Sequence, residues 1–349
     1  MLKYAFNGFL FSQRQTGVMR FAREILQRMD KLCENDSWVL VVPEYAEHVP
    51  KLKNISVVKC GNTRGNFWEQ KDFAKFVRKN KFESVNFNNT MPLRKPGIIA
   101  IHDIAYKIHP EFASSIHGKI SNIYHRMIFR KAAKSNKPII TVTHFSKIQL
   151  VEHYGIDPNR ITVIGNAWQH FQGGGVDNTV LEKNGLIDKS FYFCLGSLSK
   201  MKNTKWIFEV ARRNPNALFV LAGAKPNNES DEFENSNNVL RVGFVSDEQV
   251  KALIQSCKAF IYPSIYDGFG IPPLEALSQG ANVICSTAAC LPEVYRNSVH
   301  YIDPYEYDVD IDELMKEPID SAEAVLSRYS WDKSALQLYR LLKNNEVEN

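Results

Sequence analysis

At 349 residues, with 44% hydrophobic and 23% charged residues, the chain is long enough for two packed domains, and a net charge of +5 is too small to mark a dedicated nucleic-acid binder. It contains no run of apolar residues long enough for a transmembrane helix. Cys33, Cys60, Cys194, Cys257, Cys285 and Cys290 show neither a CxxC pair nor a metal-ligand spacing, so a reducing, cytoplasmic setting with no bound metal is the expectation.

Apolar runs alternate with helical periodicity throughout, which predicts parallel α/β layers. In the first half strands are expected at Tyr4–Phe6, Trp38–Val42, Ser84–Phe87, Ile98–Ile101, Ile139–Val142 and Ile161–Ile164, with helices at Val18–Leu32, Ile120–Ala133 and Ser146–Tyr154. In the second half the strands are Phe191–Leu195, Ala217–Ala222, Val239–Val242, Ala259–Tyr262 and Asn282–Cys285. Helices are expected near Thr204–Arg213, Asp247–Gln255, Pro273–Gln279 and Trp331–Leu342. Three successive glycines, Gly173 to Gly175, mark the expected linker, dividing the chain into residues 1–171 and 172–325, with 326–349 as a terminal helical segment.

The helix around Ile120–Ala133 interleaves Lys119, Arg126, Arg130, Lys131 and Lys134 with Ile120, Ile123, Met127 and Ile128. A core-facing helix with a charged outer face is the favoured reading; peripheral docking on an anionic membrane surface is the other.

The most informative stretch runs from Ala259 to Glu275, where a buried strand breaks at Gly268 and Gly270 and restarts as a proline-led helix. Glycines allow close backbone approach, and the N–H groups of a helix start attract a diphosphate. Asp267 and Glu275 flank this turn. As alternatives, Asp267 is a plain Asp-Gly turn residue and Glu275 an acid serving the helix dipole in its first turn. A second anchor lies upstream, where the strand Phe191–Leu195 ends at Gly196 and is followed by Ser197, Lys200 and Lys202. Asp308, Asp310 and Asp312 imitate a DxD metal motif and are read as a solvated helix start. No G-x-G-x-x-G follows the first strand, which disfavours a dinucleotide oxidoreductase.

Together these segments resemble the retaining glycosyltransferases of family 4, the group 1 glycosyltransferases of the GT-B architecture. The likeness extends to Arg14–Gly17 with its following helix, Phe67–Gln70, Asn86–Pro92, Ile101–Ala105, Thr141–Lys147 and Gly243–Glu248. It implies an α/β, GT-B fold: two Rossmann-like parallel-sheet domains facing a central cleft, an N-terminal acceptor domain, a C-terminal donor domain, and a last helix crossing back to the first. The implied activity is transfer of a hexose, of mannosyl or rhamnosyl type, from a GDP-, UDP- or dTDP-sugar to a saccharide or lipid-linked acceptor in surface-polysaccharide assembly, without a metal. By the same resemblance Lys202, helped by Lys200, meets the diphosphate, Asp267 lies near the donor sugar, His102 lies near the donor sugar or the acceptor, and Glu275 bonds the ribose hydroxyls. Gly17, Ser197, Gly268, Phe269, Gly270 and Ile271 approach the phosphates, and Val245 reads the base through its backbone. Asp267 stands where most members have Glu, and Ser197 where many have Arg. The alternatives are a nucleotide-sugar 2-epimerase of the same fold and a non-catalytic sugar-nucleotide-binding protein.

Overall fold

The computed structural model describes residues 3–13, 16–34, 36–113, 115–196, 200–223 and 236–347. It divides into two compact units, Met1–Asn166 with Ser330–Asn349, and Ala167–Tyr329. Each is built on a parallel sheet.

The first sheet has seven strands: β1 (Tyr4–Asn7), β2 (Val39–Val42), β3 (Ser56–Lys59), β4 (Glu83–Asn86), β5 (Ile98–Ala100), β6 (Ile139–Thr141) and β7 (Ile161–Val163), in the order β3-β2-β1-β4-β5-β6-β7. The second has six: β8 (Phe191–Leu195), β9 (Leu218–Ala222), β10 (Val239–Gly243), β11 (Ala259–Tyr262), β12 (Val283–Ser286) and β13 (His300–Ile302), in the order β10-β9-β8-β11-β12-β13. In both, the winding reverses once, between β1 and β4 and between β8 and β11. Ligands in such sheets bind beyond the carboxyl ends of the strands at that reversal. The two strands without a counterpart in the sequence reading are the edge strands β3 and β13. β3 is largely exposed and has no two-faced apolar pattern to announce it.

The division between units corrects the expected boundary. Residues 167–171 belong to the second unit because Trp168 Nε1 donates to Leu326 O at 3.0 Å, Gln169 Nε2 donates to Tyr329 O at 2.8 Å, and Phe171 is buried. The triglycine tract is likewise part of that unit, since Lys251 Nζ donates to Gly173 O. At the far end, Ser330 rather than residue 326 begins the returning segment. The helix Trp331–Val347 buries Trp331, Ala335, Leu338 and Leu342, and the Trp331 ring meets Phe21 edge-on at 6.1 Å. It also ties to β1: Tyr4 Oη donates to Leu342 O at 3.0 Å and accepts from Asn345 Nδ2 at 2.9 Å.

The carboxyl ends of β1 and β4 carry a buried polar cluster. A π-type turn, Glu69–Phe73, lies in the helical stretch between Asn66 and Lys79. It swings Glu69 inward, where Asn7 Nδ2 and Thr90 Oγ1 each donate to Oε2 at 2.7 Å and Gln70 Nε2 donates to Oε1 at 3.0 Å. Gln70 also accepts from Leu93 N at 2.9 Å, and Trp68 Nε1 donates to Cys60 O at 2.6 Å. Burial raises the Glu69 carboxyl to about 7 against the pull of its donors. His102, beyond β5, is also buried, and burial lowers its imidazole to about 4.

These shifts have opposite signs. Between the ordinary carboxyl value of 4.5 and about 7 the folded chain keeps a proton on Glu69 that the unfolded chain has lost, so rising pH removes stability. Between about 4 and 6.5 the unfolded chain carries a proton that His102 does not, so rising pH adds stability. The slopes cancel in part where the windows overlap. Glu69→Gln is expected to steepen the gain in urea midpoint between about pH 4 and 6.5 relative to the parent. Parallel profiles in the two proteins would show that Glu69 keeps no extra proton.

Candidate active site

The second unit places Lys202 and Asp267 on the loops that follow β8 and β11, Tyr262 at the end of β11 itself and Glu275 in the helix beyond it, at the reversal of its sheet. The arrangement follows from how one turn is fastened to another. The 3-10 turn Lys200–Lys202 is held against residues 263–267, because Ile265 N donates to Met201 O at 2.9 Å and Ser264 Oγ to the same oxygen at 3.1 Å. Asn203 completes the attachment. It adopts a left-handed conformation, φ 54°, which asparagine tolerates better than most residues. Its buried Nδ2 donates to Pro263 O at 3.1 Å and to Pro304 O at 2.8 Å.

Lys202 Nζ is thereby delivered to Asp267, 2.7 Å from Oδ1 and 3.0 Å from Oδ2, and to Tyr262 Oη at 2.6 Å. Tyr262 Oη in turn donates to Asp267 Oδ2 at 2.9 Å. Burial, then the Asp267 charge, holds the Tyr262 phenol well above its usual value, so it remains a donor. The two side chains singled out separately in the sequence form one largely buried ion pair.

The helix after the glycine turn runs from Ile271 to Ser278. Gly270 caps it at φ 79°, and a Cβ there would lie 2.6 Å from Leu291 Cδ2. Any other residue would meet both strain and collision at this point. The amide donors near the helix start are set by its two prolines. Pro272 and Pro273 occupy the first turn and carry no N–H, so nearby amide donors come from Gly268, Phe269, Gly270, Ile271 and Leu274. Phe269 offers only its backbone, since its ring is buried edge-on to Tyr329 at 5.1 Å. Glu275 is the fifth residue of the helix, one turn beyond the start, which removes first-turn dipole compensation as its explanation.

Glu275 Oε1 accepts from His170 Nε2 at 2.7 Å. His170 sits in the short turn Gln169–Phe171, whose neighbours Trp168 and Gln169 are tied to Leu326 and Tyr329. Sequence reasoning did not find His170, because its partner lies 105 positions away and nothing local marks it. Tyr262 was assigned only to a buried strand; its polar tip was the available signal.

The other expected residues are placed as follows. Lys200 is exposed in the same turn as Lys202. Ser197 lies outside the described residues. Val245 is half-buried after β10, just ahead of Ser246, which forms a capping box with Gln249. In the first unit Gly17 opens the helix Gly17–Met29 behind the cap residue Thr16. His102 Nε2 donates to Phe87 O at 2.9 Å, which makes Nδ1 the acceptor nitrogen of a neutral ring. Asp310 caps the helix Ile311–Leu314, and Asp312 pairs with Lys258 at 2.5 Å. Among the described residues no group of three His, Cys, Asp or Glu is arranged to hold a metal.

Removing one member of a buried ion pair strands the other, which costs more than removing both. Lys202→Met and Asp267→Asn are each expected to lower Tm further than the double variant does. Additive losses in a thermal unfolding series would mean that the pair does not couple.

Comparison with known proteins agrees with this architecture. The model of glycosyl transferases group 1 matches residues 178–345, and that of glycosyltransferase family 4 matches residues 16–168. The chain is 23% identical over 330 residues to O-antigen chain mannosyltransferase B of Escherichia coli, covering 84% of each. It is 24% identical over 261 residues to O-antigen chain mannosyltransferase RfbU of Salmonella typhimurium, covering 70% of this chain and 69% of the relative. Among solved structures it superimposes on sucrose-phosphate synthase from Thermosynechococcus elongatus with TM-score 0.75 at 11% identity over all of both chains. It also matches Anabaena HepE in complex with UDP and glucose with TM-score 0.72 at 16% identity, over 99% of this chain and 100% of the other. With two doubly wound parallel sheets and family matches to both halves, the chain belongs to the group 1 glycosyltransferases of the GT-B fold and is a glycosyltransferase enzyme.

Proposed function

We propose that this enzyme transfers a sugar, of mannosyl type, from a nucleotide-diphosphate sugar to a saccharide or lipid-linked saccharide, with retention of anomeric configuration, in assembly of a bacterial surface polysaccharide. The sugar and the setting follow the O-antigen relatives, and the donor class follows the UDP complex of a structural neighbour. The observation that carries the donor site is the placement of Lys202 and Asp267, 2.7 Å apart, on the loops beyond β8 and β11.

In this reading Asp267 holds the Lys202 ammonium in place until the diphosphate arrives. Lys202 and Lys200 then face the phosphates, with amides of Gly268, Phe269, Gly270 and Ile271 as further donors. Such preorganised charge offsets the negative charge that builds up on the leaving group. Glu275, oriented by His170, accepts from the vicinal ribose hydroxyls; its Oε2 makes no hydrogen bond to a described residue. The backbone around Val245 reads the base. Asp267 lies near the donor sugar, and its shorter side chain, relative to glutamate, already reaches Lys202 with both oxygens. Gly17 and the neutral His102 are the residues of the first unit assigned to the acceptor. The bond between the anomeric carbon and the phosphate oxygen breaks, the acceptor oxygen joins that carbon on the same face, and its proton passes to the departing phosphate. No metal is required, and the enzyme works in the cytoplasm.

Lys202→Ala is expected to lower kcat/KM by roughly 10²–10³. Near-parent turnover in that variant would remove Lys202 from the site. A thermal-shift series over GDP-, UDP-, dTDP- and ADP-sugars should single out one nucleotide, with about 2.7 kcal/mol of stabilisation at ~100 times Kd. Glu275→Gln should abolish that shift while leaving the unliganded Tm close to the parent. Proton NMR of the first product formed should show the donor's anomeric configuration; an inverted product, or epimerised donor without any glycoside, would overturn the reading.

A further inference from the structure

A second feature lies on the first unit and takes no part in the proposed chemistry. The helix Ile116–Lys134 turns His125, Ile128, Phe129 and Ala132 to the core. Its opposite face was expected to be charged, and the structure corrects this. Ile116 is 78% exposed, Ile120 61%, Ile123 68% and Met127 44%, and their spacings of four, three and four make one continuous stripe. The two turns that follow continue the outward side with exposed Arg130, Lys131 and Lys134.

Beside those turns lies a cavity of about 200 Å³ lined by Lys107, Arg126, Arg130, Lys134, His153 and Tyr154. No carboxylate lines it. Arg126 is fixed by donation from Nε to Tyr106 O at 2.9 Å. The Tyr154 hydroxyl is buried without a hydrogen-bond partner, and its ring stands edge-on to Phe129 at 5.8 Å. A buried hydroxyl left unpaired costs roughly 1–3 kcal/mol, and gathered cations repel one another. An anion with several acceptor oxygens relieves both. A contiguous apolar row on the outward face marks a surface that gains from being covered, which a bilayer boundary beside the cationic cavity supplies.

We propose that this face docks on a bilayer containing anionic phospholipid, with Ile116, Ile120, Ile123 and Met127 entering the acyl boundary and a lipid phosphate seated in the cavity against Tyr154, Arg126 and Arg130. Apolar burial and cationic attraction are the two components of interfacial helix binding, and the second contributes about 1 kcal/mol per basic residue near the surface. No helix among the described residues is long and apolar enough to cross a membrane, so the attachment is peripheral. The inference does not rest on the transferase reading.

The test is flotation of the full chain with vesicles of phosphatidylcholine alone or mixed with phosphatidylglycerol, scored without any activity assay. Binding is expected to the mixed vesicles and to fall about tenfold on the neutral ones and on raising the salt. Ile120→Asp with Ile123→Asp, and Arg130→Glu with Lys134→Glu, alter exposed positions, should keep the parent Tm, and should each reduce bound protein about tenfold. Tyr154→Phe should reduce it severalfold with the outer charges intact. Equal binding to neutral vesicles, or unchanged binding in both double variants, overturns the proposal. So does stabilisation by inorganic phosphate without vesicle binding, which would assign the cavity to a soluble phosphate. Self-association abolished by the isoleucine variants, again without vesicle binding, would make the stripe a contact between copies.

Discussion

The fastening of the Lys200–Lys202 turn to residues 263–267 is the constraint on which the candidate active site depends. Three hydrogen bonds, from Ile265 N, Ser264 Oγ and Asn203 Nδ2, join the loop after β8 to the loop after β11. Without them a lysine on a short exposed turn would sample many rotamers, and its charge would be spread through solvent. With them the ammonium has one address, between the Asp267 carboxylate and the Tyr262 hydroxyl. The low dielectric of that setting strengthens the pair and sharpens its dependence on both members. The left-handed backbone at Asn203 is part of the same device, since it turns the chain from the 3-10 turn into the helix Thr204–Arg213 while its amide reaches Pro263 and Pro304.

The strands of both sheets were legible where burial on two faces produces an uninterrupted apolar run, as at Phe191–Leu195 and Ala259–Tyr262. The edge strand β3 was not, because it is largely exposed and carries no such run, and β13 was not, because it is only three residues long and begins with a histidine. The glycine turn, Lys202, Asp267 and Glu275 stood out as residue types in a motif, but their partners did not. Asp267 pairs across 65 positions and Glu275 across 105, and no local pattern encodes a contact at that range. The triglycine tract misled for a related reason. Glycines read as freedom in a sequence, yet here the backbone they expose is taken up by Lys251.

The outward face of the helix Ile116–Lys134 illustrates a limit of binary patterning. Isoleucines spaced three and four apart predict a buried stripe, and His125, Ile128, Phe129 and Ala132 satisfy that expectation equally well on the other side. Only the fold decides which stripe meets the core. In the buried cluster around Glu69, a carboxyl and three neutral donors share one pocket, and the segment acts as a clamp: Trp68 holds the chain after β3 at Cys60, while Glu69 and Gln70 both hold the loop between β4 and β5.

The discontinuity of the first unit has a consequence for biosynthesis. Its opening strand is bonded to Leu342 and Asn345, so the residues that complete this unit are made only after the other unit. The whole of Ala167–Tyr329 is translated in between, which at roughly 5–20 residues per second takes on the order of ten to thirty seconds. During that interval all seven strands of the first sheet are already made, but the apolar seat of the terminal helix, including Phe21 on the helix Gly17–Met29, is uncovered, and the later-synthesised portion is free to complete its own core first. The nascent chain therefore has a defined period of vulnerability to aggregation, ended by the emergence of Trp331 and the helix it begins.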